Sequence, residues 1–363
     1  MDKYFKIYKN KKVLITGHTG FKGSWLSLWL KELGAKVIGY SLEPPTEPNL
    51  FEAIDLGSKI IHIIGDVRDK EYLTYILRKY QPQFVFHLAA QSLVRYSYEK
   101  PKLTYETNIM GTVNILEAVR EVKGVEVCII ATSDKCYQNK EWIYGYRESD
   151  PLGGYDPYSS SKACAEIVSE AYRRSFFTSK KQKRVALSSV RAGNVIGGGD
   201  WGKDRLIPDC VRALSQNKKI VIRNPHAIRP WQYILEPLAG YLLLGGLMYK
   251  DKERYSSAWN FGPLLKNTIT VEELTQLSIN YWGKGEYMID KRVHPYEANY
   301  LRLDVSKAYA LLGWRAIYDI NKTVKKTVEW YKKFYKNIGK EKLYKFTVKE
   351  IREYISDLTR YSV

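Results

Sequence analysis

Cysteine and histidine are scarce in this 363-residue chain, with four and five copies respectively. Cys128, Cys136, Cys164 and Cys210 form no CxxC pair, and no histidine stands near enough in sequence to suggest a zinc module. No metal is therefore expected, and the pattern fits reduced thiols in a cytoplasmic protein. Long apolar runs are also missing. The longest, LAGYLLLGGLMY over 238–249, is too short to span a bilayer and carries three glycines. A buried helix is expected there, and no membrane partner. The opening MDKYFKIYKN is charged, and no apolar run follows it, so no secretory leader is expected.

Acidic residues are outnumbered. There are 39 Asp+Glu against 58 Lys+Arg, a formal charge of +19. Such a field attracts polyanions or anionic small molecules. The densest basic cluster, 322–348, carries no recognisable nucleic-acid motif. It reads as a solvated helix face, and no nucleic-acid partner is expected. What the chain does have is apolar content, 45% hydrophobic, and that is ample for a sizeable core.

The first half alternates short apolar runs with helical patterns. KVLIT (12–16), AKVIGYS (35–41), KIIHIIGD (59–66), FVFHLAA (84–90), VEVCIIAT (125–132) and VALSSVRAG (185–193) read as strands. Helical spacing falls at 23–34, 69–80, 101–122 and 158–178. Strands separated by helices imply βαβ units and a parallel sheet. The expected fold is α/β, a Rossmann-type doubly wound sheet over residues 1–193 that also carries the catalytic residues. After about residue 194 glycine and proline become frequent and strands short. Residues 194–363 are expected to form a smaller substrate-binding lobe, with some segments returning to the sheet.

GHTGFKG, residues 17–23, follows the first strand and opens a helix, the context a dinucleotide-binding turn needs. Gly17 allows the tight turn, Gly20 lets backbone approach a pyrophosphate, and Gly23 permits close helix–sheet packing. The helix N-terminus favours the phosphate charge. The residues leave NAD against NADP open. Ser41 and Leu42 stand where an acid often binds the adenine ribose, Glu43 is a possible substitute, and Lys22 would suit a 2′-phosphate. Asp66 can accept from the adenine amino group with Val67 beside the ring, or can cap the helix that follows.

ATSDKCY (131–137) ends the fifth strand with a hydroxyl, an acid and a base at Ser133, Asp134 and Lys135. Tyr158 and Lys162, four apart, share one helix face. An ammonium beside a phenol stabilises phenolate, and a phenol brought near neutral pKa could remove a proton from a sugar hydroxyl. Asp134 and Lys135 could equally be a solvated surface pair.

GxxGxxG, HLAA (87–90), the Ser133 strand end and YxxxK, in this order, resemble the extended short-chain dehydrogenase/reductase superfamily over roughly residues 10–335. TSDKCY resembles the Thr-Asp-Glu triplet of its nucleotide-sugar 4,6-dehydratases, with Lys in the Glu place. GHTGFKGSWLSLWL (17–30), RAGNVIGGGDWGKDRLIPD (191–209) and RPWQYILEPL (229–238) resemble the members that act on CDP-glucose. The resemblance implies NAD as cofactor, held by Gly17, Gly20, Phe21, Gly23, Asp66, Val67, Leu88, Ala89, Tyr158 and Lys162. It implies a catalytic set of Ser133, Asp134, Lys135, Tyr158 and Lys162. Which of Asp134 and Lys135 serves as acid or base at each step stays open. For the nucleotide sugar it implies Gln91, Asn194, Arg205, Arg229 and Tyr300, with Arg223, Lys203 and His294 as further candidates. Trp201 and Trp231 read as core. A homodimer or higher homo-oligomer built on the helices at 101–122 and 158–178 is the family habit. Two other readings stand beside this one: an epimerase or decarboxylase of the same fold, or a non-catalytic dinucleotide-binding regulator.

Overall fold

The computed structural model describes residues 2–177, 185–290, 292 and 300–361. Its twelve strands, counted among these residues, are β1 Lys12–Thr16, β2 Lys36–Ser41, β3 Ile61–Ile64, β4 Phe84–His87, β5 Val127–Ala131, β6 Ala186–Ala192, β7 Asn194–Ile196, β8 Ile220–Ile222, β9 Ile228–Tyr233, β10 Ala258–Phe261, β11 Thr268–Thr270 and β12 Tyr287–Ile289. Seven of them form one sheet in the order β10-β6-β5-β4-β1-β2-β3, with every neighbouring pair parallel. The expected doubly wound sheet is present. The direction of winding reverses between β1 and β4, so a crevice opens at their carboxyl ends. β10 comes from the second half of the chain and returns to the edge beside β6. The remaining strands make two small sheets, β11-β9-β7 and β12-β8.

The helices on one sheet face are buried almost all round, and the packing explains why. Helix Phe21–Glu32 buries every residue from Gly23 to Leu30. It is sandwiched between the sheet and the last helix, Lys340–Arg360, where Trp29 meets Tyr354 edge-on at 5.9 Å. Glu32 accepts bonds from Tyr344 Oη and Arg352 Nη2, each at 3.0 Å. The apolar run at 238–249 is indeed a buried helix, Leu235–Lys250. A Cβ at Gly245 would lie 2.3 Å from Tyr8 Oη, and that hydroxyl donates to the Leu242 carbonyl at 2.7 Å. The opposite face is covered by helices Lys70–Tyr80, Gly111–Glu121 and Pro157–Tyr172. A second apolar cluster there contains Leu14, Ile38, Val85, Ile115 and Leu187.

Two expected helices differ in detail. The one at 101–122 is divided into Pro101–Tyr105 and Gly111–Glu121 by a wide π-turn at Glu106–Met110. Within that turn Asn108 is buried, and its amide donates to the Gln91 carbonyl at 3.0 Å and to Ser161 Oγ at 2.8 Å. The helix expected to begin at 158 begins at Pro157. Asp156 caps it by accepting from Ser159 N at 3.0 Å, and a π-turn over Arg173–Phe177 ends it. The basic segment at 322–348 forms amphipathic helices whose buried face includes Val324, Val328, Trp330, Leu343 and Val348, with many of the lysines outside.

Candidate active site

The glycine turn sits at the carboxyl end of β1, and its three glycines are needed for different reasons. Gly17 has φ of 77°, and a Cβ there would lie 2.7 Å from Ala89 N. A Cβ at Gly23 would lie 2.0 Å from the Gly17 carbonyl oxygen, so the helix could not cross the turn this closely with any side chain. Gly20 is different. A Cβ there would meet only the Gly17 carbonyl, at 3.4 Å, and would otherwise project into open space. Bare backbone therefore faces the crevice at a helix N-terminus, the arrangement a pyrophosphate requires. Phe21, Leu88, Ala89, Asp66 and Val67 line the same cavity, whose volume is about 2450 Å³.

Two open readings around this turn are narrowed by the structure. Asp66 is not the cap of the following helix; Asp69 is, accepting from Tyr72 N at 2.9 Å. The Asp66 carboxylate is instead held by Arg68, through its backbone N–H at 2.9 Å and its guanidinium at 2.6 Å. Glu43 is exposed, while Thr19 Oγ1 donates to the Leu42 carbonyl at 2.9 Å and lies 2.9 Å from Ser41 Oγ. Lys22 lines the same cavity and is half-buried; burial, then the like charge of Arg205, lowers its ammonium to about 8, while Asp134 and Asp200 oppose the fall.

The second cluster is built by β5 and by the helix Pro157–Tyr172. As β5 ends, Ser133 caps a single 3₁₀ turn, Asp134–Cys136. Its hydroxyl accepts from Lys135 N at 3.2 Å and donates to Asp134 Oδ1 at 2.9 Å. Tyr158 and Lys162 lie one turn apart on the helix, and both are buried. Ser133, Asp134, Lys135, Tyr158 and Lys162 all line the one cavity. The pair at 134–135 is thus no solvated surface turn: Asp134 is buried and Lys135 half-buried.

Burial dominates the titration of this cluster. It pushes the Asp134 carboxyl up, and Lys135, the Ser133 hydroxyl and Lys22 pull partly back. Burial, followed by the charge of Lys22, lowers the Lys162 ammonium to about 8. Tyr158 corrects an expectation. Burial raises its phenol to about 12, and the neighbours that act on it most are Ser133, Asp134, Arg205 and Asp156 rather than Lys162. The Lys162 ammonium is turned to the Ala131 carbonyl, to which it donates at 3.3 Å.

Behind the cluster stands a buried brace that sequence reasoning missed. Glu166, one turn beyond Lys162, accepts from Thr132 Oγ1, from Ser189 Oγ at 2.6 Å and from Arg191 Nη2 at 2.7 Å. Arg191 in turn donates to Tyr137 Oη at 2.6 Å. Burial alone would raise the Glu166 carboxyl, yet Arg191 and the hydroxyls hold it below the ordinary range. The brace ties the end of β5, the end of β6 and the helix of Tyr158 to one another. The spacing of Glu166 from Lys162 was its only sequence signal.

On the substrate side, Asn194 opens β7 and Arg229 lies on β9, where its Nη1 donates to the Ile228 carbonyl at 2.9 Å. Arg205 pairs with Asp200 at 2.9 Å and reaches Ser92 Oγ at 3.1 Å. Arg223 pairs with Asp204 at 2.7 Å. Asn194, Arg205, Arg223, Arg229 and Lys203 all line the cavity. Gln91 does too, but its side-chain amide is engaged by Leu93 and Thr104, which gives it a loop-holding role. Tyr300 is not part of the lining; Leu301 is, and the Tyr300 carbonyl accepts from Asn139 Nδ2 at 3.1 Å. His294 lies outside the described residues. Trp201 and Trp231 are buried, as expected.

A Rossmann-type sheet with a glycine-turn crevice, and with Ser133, Tyr158 and Lys162 at its far end, defines a dinucleotide-dependent oxidoreductase scaffold. The family model described as GDP-mannose 4,6 dehydratase matches residues 14–327, and the chain belongs to that family, a branch of the extended short-chain dehydrogenases/reductases. The chain is 49% identical to the CDP-glucose 4,6-dehydratase of Salmonella typhimurium, over 99% of its own length and 100% of the relative's. The CDP-paratose 2-epimerase of Salmonella typhi is 27% identical over 88% of this chain and 98% of its own. In three dimensions the chain resembles the NAD complex of dTDP-glucose 4,6-dehydratase from Bacillus anthracis, with a TM-score of 0.73 and 21% identity. That match covers 89% of this chain and 97% of the other. No helix among the described residues is long and apolar enough to cross a membrane.

Proposed function

We propose that this protein is a hydro-lyase, an NAD-dependent CDP-D-glucose 4,6-dehydratase, which forms CDP-4-dehydro-6-deoxy-D-glucose and water for deoxysugar biosynthesis of the lipopolysaccharide type. The full-length 49% identity to the Salmonella enzyme carries the reading. The convergence of an acid–base pair and a Tyr–Lys pair on one cavity supports it. NAD suits the bare backbone at Gly20 and supplies a hydride acceptor at C4 that later gives the hydride back at C6. Tyr158, aided by Ser133, takes the proton of the C4 hydroxyl, while Lys162 orients the nicotinamide ribose. The 4-keto group acidifies C5–H, and Lys135 removes that proton. Asp134, whose carboxyl burial pushes toward the protonated form, gives its proton to the departing C6 hydroxyl. Arg205 and Arg229 are suited to phosphate oxygens, and Asn194 to the sugar diphosphate. Residues 1–193 supply the cofactor half of the cavity and 194–363 most of the substrate half.

The test is incubation with CDP-glucose, UDP-glucose and dTDP-glucose, with and without NAD, following the ultraviolet signal of a 4-keto sugar in base. Product is expected from CDP-glucose alone. Equal turnover of all three nucleotides would refute the CDP assignment.

The protein acts in the cytoplasm and works as a homodimer or higher homo-oligomer through the face that carries Tyr105, Met110 and Ile167. These are respectively 37%, 49% and 57% exposed and are apolar beyond what a solvated helix needs. Sedimentation analysis is expected to give an oligomer that Met110→Lys with Ile167→Lys dissociates. A monomeric wild-type protein would exclude this assembly.

A further inference from the structure

Asp134 and Lys135 ride on the short turn Asp134–Cys136, while Tyr158 and Lys162 stand on the helix Pro157–Tyr172. Both flanks of the turn end on a single buried ion pair. Before the turn, Thr132 donates its hydroxyl to Glu166 Oε1. After it, Tyr137 Oη accepts from Arg191 Nη1 at 2.6 Å. Glu166 and Arg191 meet at 2.7 Å, and their side chains are only 2% and 3% exposed. Glu166 belongs to the helix of Tyr158, one turn past Lys162, and Arg191 belongs to β6. Each partner is fastened further. Ser189 Oγ donates to Glu166 Oε2 at 2.6 Å, and Arg191 Nη1 also donates to the Glu148 carbonyl at 3.3 Å. The Arg191 guanidinium carbon lies 4.8 Å from the centre of the Tyr137 ring, and Tyr137 Oη donates to Asn260 Oδ1 at 2.8 Å.

Neither Glu166 nor Arg191 lines the cavity, whereas Thr132, Ser133, Asp134, Lys135 and Tyr137 all do. The pair therefore acts on a bound sugar through the residues it holds. A buried ion pair is a weak source of stability, because desolvation of the two charges offsets most of their attraction. Direction is its sharper property. A guanidinium fork and a carboxylate fix distances and angles that apolar packing leaves loose. A turn released at one flank can shift, and a displacement of 1 Å or less is enough to slow a proton transfer. We infer that Glu166 and Arg191 are positioning residues, a clamp that grips the turn from both sides and sets Asp134 and Lys135 against the helix of Tyr158 and Lys162. The inference rests on the site reading under Proposed function. The two grips differ in consequence. Thr132 adjoins Ser133, which serves C4 oxidation, so loss of that grip slows both halves of the reaction. Tyr137 follows Lys135 by two residues, so loss of that grip slows elimination and spares oxidation.

The experiment compares wild type, Tyr137→Phe, Thr132→Val, Thr132→Ser and Glu166→Gln in single turnover with CDP-glucose and NAD. Absorbance of reduced nicotinamide follows C4 oxidation, and the 4-keto sugar signal in base follows completed dehydration. Tyr137→Phe is expected to oxidise C4 at close to the wild-type rate and then dehydrate about 10- to 100-fold more slowly, the scale of a small misplacement. Its kcat falls while KM hardly changes. Thr132→Val and Glu166→Gln are expected to slow both steps. Thr132→Ser keeps the hydroxyl that Glu166 accepts from, and it should recover both. Should Glu166→Gln fail to fold, the three hydroxyl variants decide, since each leaves the ion pair intact. Wild-type dehydration by Tyr137→Phe would overturn the inference, and so would wild-type rates of both steps in Thr132→Val. Equal loss of oxidation and dehydration in Tyr137→Phe would also overturn it, by making the pair a support of the fold alone. If wild type itself forms no 4-keto sugar, the dehydratase reading fails, and the inference with it.

Discussion

Tyr158→Phe is expected to abolish C4 oxidation, with kcat lower by about 10³-fold and no transient of reduced nicotinamide in a single turnover. The ring stays and only the hydroxyl goes, so the buried packing on helix Pro157–Tyr172 is preserved and the melting temperature should hold. A loss of about 10³-fold corresponds to about 4 kcal/mol of barrier, within the reach of one proton-transfer group. The phenol stands at about 12 because burial disfavours phenolate. A base with so high a pKa is almost wholly protonated near neutrality, so kcat/KM should rise with pH from the acid side. That rise ends where Lys162, held near 8, loses the charge that orients the nicotinamide ribose. A Tyr158→Phe enzyme that still accumulates reduced cofactor at the wild-type rate would remove the phenol from the reaction.

The second large effect separates the two halves of the chemistry. Lys135→Met should leave C4 oxidation intact, so that reduced nicotinamide appears and persists, while 4-keto-6-deoxy product falls by about 10³-fold. Exchange of the C5 hydrogen with solvent deuterium should fall in parallel. The contrast with Tyr158→Phe is the informative part, because one variant stops before hydride transfer and the other after it. An epimerase or decarboxylase on this scaffold has no need of the pair at 134–135, and its turnover would survive the substitution. Normal dehydration by Lys135→Met would sink the assignment of the C5 base.

Much of this protein is legible along the chain because its information is local. KVLIT is β1 with the limits read from the sequence, and the strand–turn–helix context of GHTGFKG marks the crevice. YSSSK fixed Tyr158 and Lys162 on one face because a helix repeats every 3.6 residues. The strand ending at Ala131 put Ser133, Asp134 and Lys135 at the mouth of the sheet. Other readings could not be closed from the sequence. Two acids stand before the helix Lys70–Tyr80, and the structure gives the cap to Asp69 and leaves Asp66 with Arg68. The high phenol pKa of Tyr158 reflects how many layers cover it, which no spacing reports.

The sequence by itself determined the fold class, and it marked the glycine turn and the five residues proposed for catalysis, since each reading depends on residue types at short, regular separations. Only the tertiary structure decided that Asp134 is buried in the cavity wall rather than solvated on a surface turn. It also brought Glu166 and Arg191, 25 positions apart, into a buried ion pair behind the catalytic strand. The physical reason is common to both: the free energy of a charge depends on how much water it has lost and on which other charges lie beside it. Those quantities exist only once β5, β6 and the helix of Tyr158 have packed together.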